Sequence, residues 1–228
     1  VLPFLFILKD PPLPKSEQPP FELGKFVRSF WVSPRQHPDF GWAWLARFLV
    51  SLSIAMATLY LLFFLTDHLM FDSETAGQRQ TVLLALYAGG TMITSVIGGY
   101  VSDRMGKRKI FVIIASVIIA VAGFVLAFVP EGQGGWGMTM LAALILGIGY
   151  GWYLAVDQAL ITQVLPTAGD RAKDLGVINI ANSMPQVLAP VLAAVLVTSL
   201  GGYTSLYIAV AIITLVGAVA VVPIKSVP

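Results

Sequence analysis

The chain has 228 residues, of which 57% are hydrophobic, 11% are charged and none is cysteine. A soluble domain carries roughly 25% charged residues over its core, disorder needs low hydrophobicity with high charge, and a disulfide-stapled secreted fold needs cysteine, so all three classes are excluded. A mean hydropathy of +0.83, with a net charge of +2 that is too small to imply nucleic acid, describes an integral membrane protein.

In chain order, Val1–Leu8 is an apolar run too short to cross a bilayer or to act as a signal peptide. It reads as the end of a preceding transmembrane helix, and the sequence as part of a longer polypeptide. Residues 9–41 read as a linker on one side of the membrane. Lys9–Pro20 is proline-rich and extended. Residues 21–32 place Leu23, Phe26, Val27, Phe30 and Trp31 on one helical face opposite Glu22, Lys25, Arg28 and Ser29. That amphipathic helix suits either the inner leaflet or the protein's own cytoplasmic face.

Six apolar segments then reach the roughly 20 residues that a spanning helix needs. They run about 42–66, 79–101, 110–129, 137–156, 175–200 and 203–222. Six long runs mean six helices, because lipid satisfies no free backbone groups. The fold class is therefore all-α, with a six-helix domain over 42–224. Twelve of the 14 Lys and Arg residues fall on the side of the two ends, and Arg79 stands alone opposite. The positive-inside rule makes that side cytoplasmic. Arg47, about five residues inside the first span, either snorkels to the headgroups or pairs with an acid or an anionic solute.

Polar residues are shared unevenly. The third span carries only Ser116 and the sixth only Thr214, so both read as lipid-facing all round. The second aligns Tyr87, Thr91, Thr94 and Ser95 with Gly98. The fourth spaces Tyr150, Tyr153 and Asp157 at i, i+3, i+7. The fifth sets Asn179, Asn182, Ser183 and Gln186 on one arc. Polar groups in a bilayer face the bundle or a wet cavity. The rhythm of two polar spans and one plain one, given twice, suggests a 3+3 repeat of the transporter kind. Gly147, Gly149 and Gly151 permit close helix approach. Pro185 and Pro190 interrupt the fifth helix, where the Pro185 region is a candidate gate.

Between the second and third spans the chain reads Gly99-Tyr-Val-Ser-Asp103-Arg104-Met-Gly106-Lys107-Arg108-Lys109. This segment resembles the signature cytoplasmic loop of the major facilitator superfamily, and the six spans resemble helices seven to twelve of that family. The resemblance implies that residues 1–8 end helix six, and that the six-helix N-terminal half belongs to the same polypeptide. It also implies that Asp103 meets a helix start in that half and latches the cytoplasmic side, where the bland alternative is charge that only sets topology. A basic residue, Lys107 or Arg108, would pair with Asp157. The stretch from Asp157 to Pro166, and Phe64-Leu-Thr66-Asp67, are similar to bacterial members related to the glycoside and sucrose cation symporters.

These readings converge on a secondary transporter in the plasma membrane, both ends of the chain cytoplasmic, working by alternating access on a small solute, with a sugar or glycoside leading and proton or cation coupling. The rival is a non-transporting receptor or scaffold of the same fold. Gln186, Asn182, Asn179, Tyr153 and Tyr87 are the candidate solute contacts, since amides and phenols suit hydroxyl-rich ligands; interhelical bonding is the alternative use of each. No span holds an acid near its middle, which places any proton carrier in the other half. His37 and His68 are single, no metal-ligand spacing or cofactor motif occurs, and no enzyme signature is present. The expected partners are lipid, the N-terminal half and the solute.

Overall fold

A computed structural model describes residues 37–164 and 171–226. Helix α1 (Pro38–Leu59) continues through Leu61–Phe63 into a π-helical turn at Phe64–His68. It is followed by α2 (Ser73–Met105), α3 (Arg108–Ala127), α4 (Trp136–Val164, entered by a 3-10 turn), α5 (Arg171–Ser199) and α6 (Gly202–Val221). Six helices are long and apolar enough to cross a membrane, and the described residues contain no strand. The chain is an all-α, multi-pass membrane protein. The apolar run 1–8 and the amphipathic segment 21–32 lie outside the described residues.

Helix ends differ from the apolar runs for local reasons. Helix α1 starts at Pro38 rather than 42, because proline's fixed φ and missing N–H suit the first turn. Helix α2 starts at Ser73 rather than 79, because the Asp72 carboxylate accepts the Thr75 N–H at 3.0 Å and caps it. The Arg79 guanidinium then lies over Phe71 and Trp136, 4.1 and 4.6 Å from the ring centroids. At its other end α2 runs through Met105, so most of the presumed signature loop is helix. Gly106 closes it in the left-handed conformation at φ 66°, its N–H bonded to Ser102 O.

The packing is itself a repeat. Helix α4 packs between α2 and α3, α1 packs between α5 and α6, and α3 packs on α6. Exchanging α1 with α4, α2 with α5 and α3 with α6 maps each pairing onto another. Since α1 and α4 run in opposite directions across the bundle, this is a 3+3 inverted arrangement.

One expectation is overturned. Helices α3 and α6 are not lipid-facing all round, since about half of each apolar window is buried (56% and 50%). Their small residues make this possible: the position of a Gly123 Cβ lies 3.1 Å from Tyr207 O and 3.2 Å from Ala211 Cβ. Ser116 and Thr214 are both fully buried, and Thr214 donates to Ser53 Oγ on α1 at 2.7 Å. The polar helices α2 and α5 are the open ones instead, with 17% and 22% of their windows buried.

Helix α2 meets α4 along a seam of glycines. A Cβ on Gly147 would strike the Tyr87 backbone, and one on Gly151 would strike Thr91 and Thr94. Thr91 and Thr94 donate across the seam to Gly147 O at 3.2 Å and Ile148 O at 3.0 Å. Gly149 faces α3 instead, against Ile118 and Ile119. Small residues thus let the backbones approach until threonine hydroxyls bridge them. On the other side, Trp44 Nε1 donates to Val177 O at 2.8 Å and holds α1 to α5. Helix α5 stays continuous through Pro185 and Pro190.

Candidate functional site

Helices α1, α4 and α5 line an open cavity of about 160 Å³. Each contributes polar side chains: Arg47 and Ser51 from α1, Tyr153 and Asp157 from α4, Asn182 and Gln186 from α5. Arg47 lies nine residues after Pro38, about 14 Å along α1, farther from the helix start than the apolar run indicates. Asp157 sits well inside α4, since that helix continues to Val164 and not 156. The two meet: Arg47 Nε and Nη2 lie 2.6 and 2.5 Å from Asp157 Oδ2. Their side chains are 4% and 5% exposed. The Tyr153 hydroxyl donates to Asp157 Oδ1 at 3.0 Å. The i, i+4 spacing on α4 puts phenol and carboxylate on one face.

Three expectations are corrected here. Asp157 pairs with Arg47, and not with Lys107 or Arg108 of the signature segment. Arg47 does not snorkel. A desolvated carboxylate does exist in this half, because Asp157 is buried against Arg47 of α1 and Tyr153 of its own helix although it lies away from the middle of its span. A buried pair of this kind holds only while both partners remain, because removing one strands a charge in a medium that solvates it poorly.

Of the expected solute contacts, Gln186, Asn182 and Tyr153 line this cavity. Tyr153 does so mainly with its ring, since its hydroxyl is engaged by Asp157. Asn179 does not line the cavity. It is exposed on α5, and its carbonyl accepts the Ser183 hydroxyl at 3.0 Å. Tyr87 lies in a separate apolar crevice with Leu83 and Leu146. Its ring stacks on Tyr150 at 5.8 Å, which stacks in turn on Tyr153 at 6.5 Å. Ser51, Tyr150 and Gln158 line the cavity without having been singled out as solute contacts. Tyr150 shares the i, i+3, i+7 stripe with Tyr153 and Asp157. Ser51 stands four residues after Arg47, one helical turn on, and that spacing was the available signal.

The signature residues lie together at one end of the bundle. The Asp103 side chain is 71% exposed, with Arg108 Nη2 at 3.5 Å. Arg108 Nη1 donates to Ala159 O at 2.9 Å, tying the start of α3 to α4. Lys109 Nζ reaches Ile224 O at 2.6 Å. Arg104 approaches the Tyr100 hydroxyl at 3.4 Å, and Lys107 is exposed at the cap of α3. Gly99 rests 3.9 Å from Ala155 Cβ on α4, measured from where its own Cβ would stand. The acid of the motif is therefore left open to a neighbour, while two of its bases anchor α3.

Comparison with known proteins bears on this arrangement. No curated protein matches the chain. Among solved structures, the crystal structure of a mutant peptide transporter POT in complex with sulfate superposes with a TM-score of 0.65 at 16% identity. The match covers 80% of this chain and 37% of that one. At such identity the likeness establishes the fold. The family profile of the Major Facilitator Superfamily matches residues 43–228, which takes in the six spans apart from the first turn of α1, the signature segment and every cavity residue. The chain belongs to the Major Facilitator Superfamily.

Proposed function

We propose that this chain is the C-terminal six-helix half of a secondary transporter that works by alternating access. The N-terminal half covers the faces of α2 and α5. The polar cavity between α1, α4 and α5 carries this reading: a buried ion pair and phenol stand beside amides that open onto the same space, on helices whose other surfaces are apolar. In a bilayer such groups mark a solute path, and rocking of the two halves exposes a central site to each side in turn.

The protein resides in the plasma membrane with both ends of the chain cytoplasmic. Asp103, open at that end, latches against a helix start of the other half, whose amide dipoles favour a carboxylate. The solute is small and hydroxyl-rich, of the sugar or glycoside class, moved with a proton or another cation. Gln186 and Asn182 bind it through neutral amides, which donate and accept without adding charge.

The test is uptake by the complete transporter in proteoliposomes. Gln186→Ala should raise KM several-fold with little change in kcat, as loss of uniform binding does. Unchanged kinetics would assign Gln186 to packing. Solute-dependent cross-linking across the cavity with no flux would assign the protein to a receptor role instead.

A further inference from the structure

Helices α1 and α4 line a second opening besides the polar cavity. It is a crevice of about 20 Å³, room for one water-sized group. Leu61 of α1, Leu83 and Leu84 of α2, Leu126 of α3 and Leu146 of α4 wall it. Its two threonines have their protons engaged: Thr58 donates to Ile54 O at 2.8 Å and Thr139 to Gly135 O at 3.0 Å. A water in such a place meets mostly hydrocarbon, and an apolar group displaces a poorly held water with a gain in affinity.

The crevice continues the polar cavity. On α1, Ile54 lines the cavity, and Ala57 and Thr58, one turn on, line the crevice. On α4, Tyr150 lines the cavity, and Leu146, one turn before it, lines the crevice. The two helices run in opposite directions, so both steps lead the same way, away from the signature segment. Tyr87 of the crevice stacks on Tyr150 of the cavity with ring centroids 5.8 Å apart, and the two spaces share this aromatic wall. One helical turn is about 5 Å, the width of a pyranose ring. A single sugar can therefore occupy both, with ring hydroxyls toward Gln186 and Asn182 and one exocyclic carbon in the crevice. A hydroxyl on that carbon would exchange water for a leucine-lined space, a cost that a methyl group does not carry.

We propose that the crevice is a methyl subsite, and that the solute is a deoxysugar whose C6 methyl fills it while its ring hydroxyls take the polar cavity. The proposal rests on the cavity being the solute site, and it narrows the sugar class to members with a methyl in place of the hydroxymethyl group. Tyr87 is then a specificity-determining residue, since its ring both walls the crevice and backs the Tyr150 ring against which the sugar lies.

Matched pairs test it, with binding measured calorimetrically on the complete transporter in nanodiscs. D- and L-glucose, galactose and mannose are each compared with the 6-deoxy form. At least one deoxysugar should bind about 10–100-fold more tightly than its parent, the range by which an apolar pocket separates solutes that differ by one such group. Ala143→Val, which adds two methyl groups to the crevice wall, should bring that ratio close to one. Gln186→Ala should weaken both members of the pair alike and leave the ratio unchanged. Should the Ala143 variant fail to fold, the ratios of the wild type decide alone. Parents bound as tightly as their deoxy forms in every pair would overturn the methyl subsite and leave the transport reading standing, as would a ratio that persists in folded Ala143→Val. A deoxysugar preference without flux would support the subsite and sink the transport reading. No binding of any of these sugars would overturn both the subsite and the hydroxyl-rich solute.

Discussion

Substituting Gly147 by alanine tests the helix seam that holds the bundle together. The added Cβ would lie 2.9 Å from both Cα and C of Tyr87, and closer still to its carbonyl oxygen. These are backbone atoms of α2, so no rotamer change relieves the contact. Ordinary contacts begin at 3.4 Å, and clearing the carbonyl oxygen as well means that α2 must retreat by about 1 Å along a close-packed seam. That motion also stretches the Thr91 bond to Gly147 O, already 3.2 Å long. Overpacking of this kind costs about 1–3 kcal/mol, and an interhelical hydroxyl bond contributes about 0.6 kcal/mol more. Alanine at Gly77 is the matched control, since nothing lies within 4 Å of its Cβ position. It lies in the first turns of α2 and should gain about 0.5–1 kcal/mol from helix propensity. Denaturant unfolding in mild detergent, followed by circular dichroism, measures both. Opposite signs are expected from the same chemical change. Gly147→Ala matching the wild type in stability would refute the seam.

Two further outcomes follow from buried polar groups. Arg47→Gln strands the Asp157 carboxylate and should destabilise by about 3–5 kcal/mol, whereas Arg47→Gln with Asp157→Asn together should recover most of it; a double-mutant cycle by the same unfolding assay checks this, and additive losses would contradict the pairing. Tyr207 is fully buried with its hydroxyl unpartnered among the described residues, its ring edge-on to Phe64 at 5.2 Å. Tyr207→Phe should keep that packing and stabilise by about 1–3 kcal/mol, the penalty of an unmet hydroxyl; a lower thermal midpoint would contradict it.

The spans were legible because the bilayer imposes a single strong rule, about 20 apolar residues per crossing. The ends were less so, since hydropathy stops where lipid stops while the helix continues. Ser73–Gln78 is polar yet helical, held by the Asp72 cap and the Arg79–aromatic contacts. Asp157 looked terminal for the same reason, since α4 runs on to Val164. Hydropathy could not tell a lipid-facing helix from one packed by small residues, so α3 and α6 were misread. Their alanines and glycines count as apolar, but act by letting backbones meet. The site was half legible. The stripe of Tyr150, Tyr153 and Asp157 marked α4, and the amides marked α5. The pairing of Arg47 with Asp157 was not assigned, although a lone arginine inside a span needs an acid from some other span. Spacing gives no distance between segments 110 residues apart.

The central claim is that the cavity beside Arg47 and Asp157 is a water-filled stretch of a solute path. Ser51 lines it, and the chain has no cysteine, so Ser51→Cys in a complete transporter free of other thiols reports on that stretch alone. A charged, membrane-impermeant thiol reagent should modify this position and block uptake, and solute should protect it. A thiol inert to that reagent but labelled by a lipid-soluble maleimide would contradict the account.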